Sequence, residues 1–293
     1  MRSNDSVVSN QLLRRKDNVI SNQTLHRNAS VAANLTVQNI EINNQTTLWK
    51  ELGCQSTTPL FLCQITKGAS STLSLPDKSV FSRYRFLNAK SRSSCALVGS
   101  SGKLLKQRYG DEIDAHDVVI RINDAPIYPY QKYVGKRVPD VSIINRSIGK
   151  AGKCLQNIRK ETMIVQYYHQ RGISQIDRLC SKHGPVFAIS QHIITSTFNL
   201  MSNFRKFYHI KSARYSTSGM YAVVFSLHLC SELDIYGFGF ASGELYSYYR
   251  DMYKFRHVHD YNLETRVLES LSHNLTSPVD VLWMGCKKLS LHA

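Results

Sequence analysis

The sequence predicts a single α/β domain whose mostly parallel, twisted sheet is flanked by helices. Short apolar runs of strand length alternate with segments of helical periodicity from about Ser94 onward, which is the pattern of helices packed on a parallel sheet. Hydrophobic residues make up 42% of the 293 residues, enough for a substantial core. The chain shows no internal repeat.

The first unit of this domain spans residues 95–145. An apolar strand over 95–99 is followed by the small turn Gly99-Ser100-Ser101-Gly102 and by a polar helix that ends near Gly110. A second strand then leads to Asn123. In such a βαβ unit the turn lies at the C-terminal edge of the parallel strands, where α/β proteins bind nucleotides.

Later segments continue the alternation of strands and helices. Thr217 or Ser218 is a good N-cap for a largely buried helix that ends at Cys230. We expect the remaining strands at 138–145, 162–168, 185–190, 233–239 and 279–284, and the remaining helices at 193–210 and 263–272.

Residues 1–46 are predicted to be a disordered, glycosylated stem, and residues 47–293 the folded domain, with its globular core beginning near Ser94. The stem is polar, lacks sustained periodicity and contains five of the seven N-x-Ser/Thr sequons. The sequons begin at Asn4, Asn22, Asn28, Asn34, Asn44, Asn145 and Asn274. Such clustering indicates a secretory compartment, although an Asn- and Ser-rich tail without glycans is a simpler alternative.

The sequence contains no recognisable signal or membrane-spanning segment. The first ten residues lack the apolar region of a signal peptide, and no apolar run approaches the roughly 20 residues needed to cross a bilayer. Because the sequons nevertheless indicate a secretory compartment, we expect that an N-terminal signal-anchor is missing from this sequence.

Net charge and cysteine spacing narrow the possible partners. The formal charge of +16 favours nucleic acid, acidic lipid, or substrates with phosphate or carboxylate groups. The basic residues are dispersed, and no helix carries a basic stripe with interleaved aromatics, which disfavours nucleic acid. The seven cysteines include no C-x-x-C pair, so a few disulfides and a leftover thiol are expected instead of zinc ligation.

The segment Ser216-Thr217-Ser218-Gly219 opens the buried helix with three hydroxyl groups. The N–H groups and the partial positive charge at a helix start suit a phosphate or a carboxylate. Alone, the turn at Gly99–Gly102 is neither a P-loop nor a dinucleotide fingerprint, and an ordinary tight turn explains it. Two such sites in one α/β domain predict a nucleotide held between them.

Four motifs in order resemble those of the eukaryotic sialyltransferase family. Residues 95–145, with Arg121-x-Asn123-x-Ala-Pro126, resemble the large sialyl motif, and residues 215–237 resemble the small motif. Tyr248-Tyr249-Arg250-Asp251 is similar to the third motif, and His259-x4-Glu264 is similar to the very small motif. This resemblance implies a Rossmann-like domain of the GT-A variant type, without an Asp-x-Asp metal motif.

The resemblance also implies an activity and a location. Members of the family transfer sialic acid from CMP-sialic acid to a terminal galactose, N-acetylgalactosamine or sialic acid of a glycoprotein or glycolipid. The transfer inverts the anomeric centre and requires neither metal nor cofactor. The expected location is the Golgi lumen, as a type II membrane protein without a nucleic-acid partner.

Individual roles follow from the resemblance, position by position. His259 matches the catalytic base, and Cys95 and Cys230 match the pair joined by the family's motif-linking disulfide. Tyr215 and Tyr248 match positions near the donor phosphate. The full set of implied donor-binding residues is Ser100, Ser101, Asn123, Tyr215, Thr217, Ser218, Gly219 and Tyr248.

The implied chemistry agrees with these residue types. CMP-sialic acid carries a phosphate and a carboxylate, so the basic surplus and both hydroxyl-rich turns have a use. CMP leaves readily as an anion, so no metal is needed to help it depart. The acceptor hydroxyl must lose a proton, and an imidazole, which titrates near neutral pH, suits that task.

Departures from the family motifs leave alternatives open. Ser216 replaces a proline, Arg250 replaces an aromatic, and residues 136–139 replace a Thr-rich run. A sialyltransferase-like enzyme with another donor such as CMP-Kdo, or a luminal protein that binds a nucleotide sugar without turnover, is therefore an alternative function. His228 could be a core histidine, Glu264 could orient a loop, and the tyrosines could form only a packed aromatic patch, namely Tyr246, Tyr248, Tyr249, Tyr253 and Tyr261. Linkage and acceptor are left open.

Overall fold

The structure is a computed structural model that describes part of the chain. The described residues are 62–66, 72–74, 83–87, 93–144, 158–159, 162–166, 186–211, 214–239, 245–250, 259–273 and 288–292. The seven sequons, the predicted stem and the predicted strand over 279–284 lie outside these residues.

Nine strands of the described residues form one sheet. In chain order they are β1 Leu62–Thr66, β2 Thr72–Ser74, β3 Ser94–Val98, β4 Val118–Ile122, β5 Val141–Ile144, β6 Met163–Gln166, β7 Val186–Ile189, β8 Glu232–Tyr236 and β9 Lys288–His292. Their order across the sheet is β2-β1-β7-β6-β5-β4-β3-β8-β9. Every neighbouring pair from β7 to β9 is parallel, whereas β1 is antiparallel to β2 and β7. The predicted mostly parallel sheet is confirmed.

Helices cover both faces of this sheet. Within the described residues they are α1 Gly110–Ala115, α2 Gln131–Val134, α3 Gln191–Phe207, α4 Ser218–Leu229 and α5 Tyr261–Ser272. Short 3₁₀ helices span Arg85–Leu87 and Gly102–Lys106. α3 contacts α4 and α5, and α4 lies against β3, β4 and β5. None of the helices in the described ranges is long and apolar enough to cross a membrane.

The central strands are apolar on both faces because both faces are covered. Leu97 and Ile120 belong to the larger core, which includes the side chains of α3, α4 and α5. Val98 and Val119 point into a smaller core with side chains of α1 and α2. Burying an aliphatic side chain of this size contributes roughly 1.5–3 kcal/mol relative to leaving it exposed.

The helix α4 is fixed at both ends. Thr217 is its N-cap, as predicted, and the Thr217 hydroxyl accepts a hydrogen bond from the Met220 N–H at 3.2 Å. At the other end Cys230 forms a disulfide with Cys95 of β3. The structure therefore contains the bond that the motif resemblance implies, and this bond links the large and small motifs.

Three predictions about local structure and its extent are wrong. The polar segment after the Gly-Ser turn is a 3₁₀ helix, and α1 begins at Gly110 where a helix was expected to end. Asp111 and Glu112 explain this start, because acidic side chains stabilise the first turn of a helix. The folded core does not begin near Ser94, because β1 and β2 already belong to the sheet. These two strands and β9 were not predicted from the sequence.

Candidate active site

The Gly-Ser turn after β3 is held between two other loops by its backbone. The Gly99 N–H donates to the Tyr236 carbonyl at 2.8 Å, and the Ser101 N–H donates to the Gly237 carbonyl at 3.0 Å. From the other side, the Tyr248 N–H donates to the Ser100 carbonyl at 3.0 Å. A Cβ at Gly99 would lie 2.4 Å from the Gly237 carbonyl oxygen, so this close approach of two backbones requires glycine.

The two serines of the turn have different environments. Ser101 is fully buried, and its hydroxyl donates to the Gly239 carbonyl at 3.2 Å and accepts from the Lys103 N–H at 3.3 Å. Ser100 is only half-buried. The side chain of Ser101 therefore supports the turn, and that of Ser100 lies where solvent reaches it.

The ring of Phe238 joins the Gly-Ser turn to the start of α4. A Cβ at Gly99 would lie 2.9 Å from this ring, and a Cβ at Gly219 would lie 3.0 Å from it. The two predicted donor-binding elements are therefore neighbours, with Phe238 between them. Phe238 was not predicted from the sequence. The signal in the sequence was the glycine on each side of Phe238. In the structure Gly237 and Gly239 both have positive φ, 69° and 75°, a conformation that favours glycine.

Asn123 lies at the same edge of the sheet as the turn, because β3 and β4 are parallel neighbours. Its backbone is left-handed, with φ of 57°, and its N–H donates to the Ile143 carbonyl at 2.9 Å. Asparagine adopts this region more readily than most residues. The side chain is half-buried, so the motif places an amide at the end of β4 next to the Gly-Ser turn.

Arg121 of the same motif has a structural role. Its buried guanidinium donates to the Val134 carbonyl at 2.7 Å and to the Arg137 carbonyl at 3.0 Å. Burial lowers the pKa of Arg121 to about 10, so the group stays charged at neutral pH. This side chain therefore connects β4 with the end of α2.

Glu264 of α5 reaches the start of α4. The Thr217 N–H donates to its Oε1 at 2.6 Å, and the Thr217 hydroxyl donates to its Oε2 at 2.7 Å. This pair of bonds fixes the entry into the helix, at the place where the resembled motif has a proline before Thr217. Glu264 thus connects the very small motif to the small motif.

The carboxyl of Glu264 is nearly fully buried, and this burial raises its pKa to about 7. The two hydrogen bonds from Thr217 and the charge of Arg205 favour the ionised form, and nearby Asp260 disfavours it. Desolvation is the largest of these effects. The group therefore titrates near neutral pH.

His259 lies against the segment that leads into α4. It forms an isolated parallel β-bridge with Tyr215, and its Nδ1 lies 3.1 Å from the Tyr215 carbonyl oxygen. Because a carbonyl oxygen can only accept, Nδ1 carries the hydrogen and Nε2 carries the lone pair of the neutral ring. This is the tautomer in which Nε2 can act as a general base.

The hydroxyl of Tyr248, which was expected to lie near the donor phosphate, bonds the protein backbone. Its hydroxyl donates to the Pro126 carbonyl at 2.6 Å, and its ring lies 5.0 Å from that of Tyr130 and 5.1 Å from that of Tyr249. Burial raises the pKa of its phenol, which the charge of Arg121 opposes. Since the hydroxyl hydrogen is already donated to Pro126, a contact with phosphate would need another orientation of this group.

The predicted residues at the start of α4 lie together on one accessible segment. Tyr215, Thr217, Ser218 and Gly219 are all half-buried, and His259 is bonded to the first of them. In the ranges that the structure covers, no group of three or more His, Cys, Asp or Glu side chains is placed to hold a metal ion. The arrangement places a histidine, a helix start and an amide around one edge of the sheet.

The sequence matches the family model of glycosyltransferase family 29 (sialyltransferase) over residues 35–275. This range includes every predicted catalytic and donor-binding residue. This chain belongs to that family. Family 29 membership confirms the resemblance that the four motifs show.

Curated relatives in family 29 carry two kinds of activity in their names. The chain is 28% identical over 204 residues to a beta-1,6-galactosyltransferase of Arabidopsis thaliana, covering 62% of this chain and 51% of the relative. It is 26% identical over 199 residues to CMP-N-acetylneuraminate-beta-galactosamide-alpha-2,3-sialyltransferase 2 of Mus musculus, covering 64% and 57%. The chain thus spans about half the length of these relatives.

The fold is also that of a solved family member. The crystal structure of a mammalian sialyltransferase in complex with Gal-beta-1-3GalNAc-ortho-nitrophenol superposes with a TM-score of 0.52 at 18% identity, and 85% of each chain is covered. This likeness shows a GT-A-like sheet flanked by helices.

Two departures from the family motifs have structural explanations. Arg137, within the segment that replaces a Thr-rich run, donates to the Asp140 carboxylate at 2.8 Å. It also donates to the backbone carbonyls of Asp114 and Asp117 at 3.2 Å, and so holds the connection between α1 and β4. Arg250 stacks its guanidinium over the Tyr249 ring, 5.2 Å from the ring centre.

Proposed function

We propose that this protein is an inverting, metal-independent sialyltransferase that moves sialic acid from CMP-sialic acid to a terminal hydroxyl of galactose, N-acetylgalactosamine or sialic acid on a glycoprotein or glycolipid. The observation that carries the proposal is the bond between His259 Nδ1 and the Tyr215 carbonyl, at 3.1 Å. It leaves Nε2 as a proton acceptor beside the start of α4, where the family's motifs predict the donor.

In this proposal the donor lies between the Gly-Ser turn and the start of α4. Ser100 and Asn123 contribute one side, and Tyr215 and the Thr217–Gly219 helix start contribute the other. The helix start at Ser218 and Gly219 is assigned to the phosphate, because a helix start suits an anion. The N–H groups of Thr217 and Met220 bond Glu264 and the Thr217 hydroxyl. Ser101 and Tyr248 are assigned to supporting the turn.

The reaction follows from these positions. The acceptor hydroxyl gives its proton to His259 Nε2 while its oxygen attacks the anomeric carbon from the face opposite CMP. The bond between this carbon and the phosphate oxygen breaks, and CMP leaves with the electron pair. Because attack and departure are on opposite faces, the configuration inverts. CMP is a stable anion, and the helix start stabilises its charge without a metal.

The experiment that tests this proposal is turnover of CMP-sialic acid with a panel of sugar acceptors. In His259→Ala, kcat is expected to fall by roughly 10²–10⁴-fold, the usual contribution of a general base, with the affinity for CMP unchanged within about twofold. His273→Ala is the matched control, because His273 is an exposed histidine at the end of α5. Unchanged turnover in His259→Ala would remove the base from the mechanism.

A second candidate function is galactosyl transfer, which the name of the Arabidopsis thaliana relative favours. The donor panel therefore includes UDP-galactose and CMP-Kdo beside CMP-sialic acid. Turnover of UDP-galactose alone would replace the sialyl donor and keep the role of His259. Binding of CMP-sugars without transfer to any acceptor would favour the non-catalytic alternative.

We infer that the protein works in the Golgi lumen, with residues 1–46 as a glycosylated stem, residues 47–293 as the catalytic domain, and an N-terminal signal-anchor holding the stem to the membrane. The five clustered sequons support this location, as does the Cys95–Cys230 disulfide, because disulfides persist in oxidising compartments. Expressed in a secretory pathway, the chain is expected to lose apparent mass on treatment with an N-glycosidase. A chain of unchanged mass would contradict the glycosylated stem.

A further inference from the structure

A row of aromatic side chains begins at His259 and runs along the edge of the sheet that carries the Gly-Ser turn. The ring of His259 lies 5.7 Å from that of Tyr261, which lies 6.0 Å from that of Tyr246, with the two tyrosine hydroxyls 3.3 Å apart. Farther along, the ring of Tyr248 lies 5.1 Å from that of Tyr249 and 5.0 Å from that of Tyr130.

Tyr249 connects the two parts of this row. It lies on the same segment, residues 245–250, as Tyr246 and Tyr248. The Tyr248 N–H donates to the Ser100 carbonyl at 3.0 Å, so the row runs beside the proposed donor site. We call Tyr261, Tyr246, Tyr249, Tyr248, Tyr130 and Tyr128 the tyrosine row.

The tyrosine row has a buried side and an accessible side. Tyr248 and Tyr261 are buried, whereas Tyr130, Tyr246 and Tyr249 are only half-buried. Tyr128, two residues before Tyr130, is 78% exposed, and it is one of two large apolar side chains that the described part of the chain leaves exposed. The ring of Tyr128 is therefore accessible to a ligand at this end of the row.

A cation lies on the accessible side of the row. Arg250 is exposed, and its guanidinium stacks over the Tyr249 ring at 5.2 Å. Within the described ranges, no carboxylate forms an ion pair with Arg250. The stacked guanidinium presents a planar fork of N–H groups, which is the geometry that binds a planar anion through two parallel hydrogen bonds.

We propose that the tyrosine row and Arg250 form an extended acceptor site for an oligosaccharide of several sugars that carries a carboxylate. The apolar faces of sugar rings pack on aromatic side chains, tyrosine hydroxyls bond sugar hydroxyls, and the guanidinium binds the carboxylate. The carboxylate belongs to a uronic acid or to a sialic acid. This inference rests on the proposed function, because the row begins at the proposed base.

Acceptor length and charge test the inference separately. The probes are galactose oligosaccharides of one to four sugars, neutral or ending in glucuronic acid or N-acetylneuraminic acid. In Tyr128→Ala the KM for the acceptor is expected to rise by about 2–10-fold for the longest probe and by less for each shorter one. In Arg250→Gln the preference for acidic over neutral probes is expected to fall by about tenfold or more.

Two variants that leave the tyrosine row intact are the controls. Phe207→Ala removes the other exposed large apolar side chain, which is 54% exposed at the end of α3. Arg266→Gln removes another stacked guanidinium, which lies 5.5 Å from the ring centre of Tyr208. Both are expected to behave as the wild type. An acceptor KM that does not depend on probe length, or equal losses in the control variants, would overturn the inference.

Calorimetry of probe binding to the full chain without donor separates this inference from the proposed function. If binding depends on Tyr128 and Arg250 while CMP-sialic acid is never turned over, the acceptor site stands and the sialyl activity fails. A chain that binds none of the probes overturns the acceptor site, whatever its donor. Preference for one acid over the other identifies the source of the carboxylate.

Discussion

At the scale of single residues, Glu264 makes the stability of the protein depend on pH. Its pKa rises from the ordinary 4.5 to about 7 in the folded chain, because the carboxyl is buried. Between these values the folded chain binds the proton more tightly than the unfolded chain. The stabilisation by this group is therefore complete below about pH 4.5 and is lost as pH rises through 7, by about 1.4 kcal/mol per pKa unit.

The measurement is urea unfolding of the wild type and of Glu264→Gln from pH 4.5 to 7.5. The difference between the two free energies of unfolding is expected to decrease as pH rises. Glu269→Gln, an exposed carboxyl on the same helix, is the control and is expected to run parallel to the wild type. Parallel curves for Glu264→Gln as well would mean that the carboxyl ionises normally in the folded chain.

Residue identity could be predicted at this scale, but conformation could not. The motifs placed Asn123 at a strand end, where the structure has it, yet nothing in the sequence indicated its φ of 57°. The motifs also paired Ser101 with Ser100 as donor contacts. That prediction does not name the partners that the structure has, since the Ser101 hydroxyl bonds Gly239, 138 residues away, and the Tyr248 hydroxyl bonds Pro126, 122 residues away. Such partners depend on the whole fold, so local patterns do not contain them.

At the scale of elements, caps and apolar runs were more informative than periodicity. The start of α4 could be predicted because Thr217 precedes a run that is apolar on all sides, and Val223, Val224 and Phe225 are indeed fully buried. The segment after the Gly-Ser turn was expected to be a polar helix. Only a 3₁₀ helix forms there, since the backbone is already extended at Gln107.

At the scale of the whole molecule, the disulfide between Cys95 and Cys230 closes a loop with a sequence separation of 135. Closing so long a loop reduces the conformational entropy of the unfolded chain, which is worth about 2–5 kcal/mol. The double variant Cys95→Ser and Cys230→Ser is expected to lose this much free energy of unfolding, measured in urea without reductant.

The control for this loss is the effect of a reductant on each protein. Reductant is expected to destabilise the wild type by about 2–5 kcal/mol more than it destabilises the double variant, which lacks this bond. A double variant as stable as the oxidised wild type would show that packing of α4 on the sheet is sufficient without the bond.

The fold itself could be predicted at this scale, because the alternation of strands and helices and the order of the four motifs are global features. By contrast, the sequence could not predict that β1 is antiparallel to both of its neighbours. It lies between β2 and β7, and β7 is more than 100 residues away in the sequence, so its pairing is decided by which edge of the sheet the rest of the chain leaves open.

The bond between His259 Nδ1 and the Tyr215 carbonyl also constrains how the catalytic cycle ends. If Nε2 takes the acceptor proton, each turnover leaves the ring cationic, and the carbonyl continues to hold the other hydrogen. In the proposed mechanism the surplus proton then departs from Nε2, the side on which the new glycosidic bond forms. Product release and deprotonation of His259 are therefore expected on the same side of the ring, so that the next acceptor reacts only after the previous product has left.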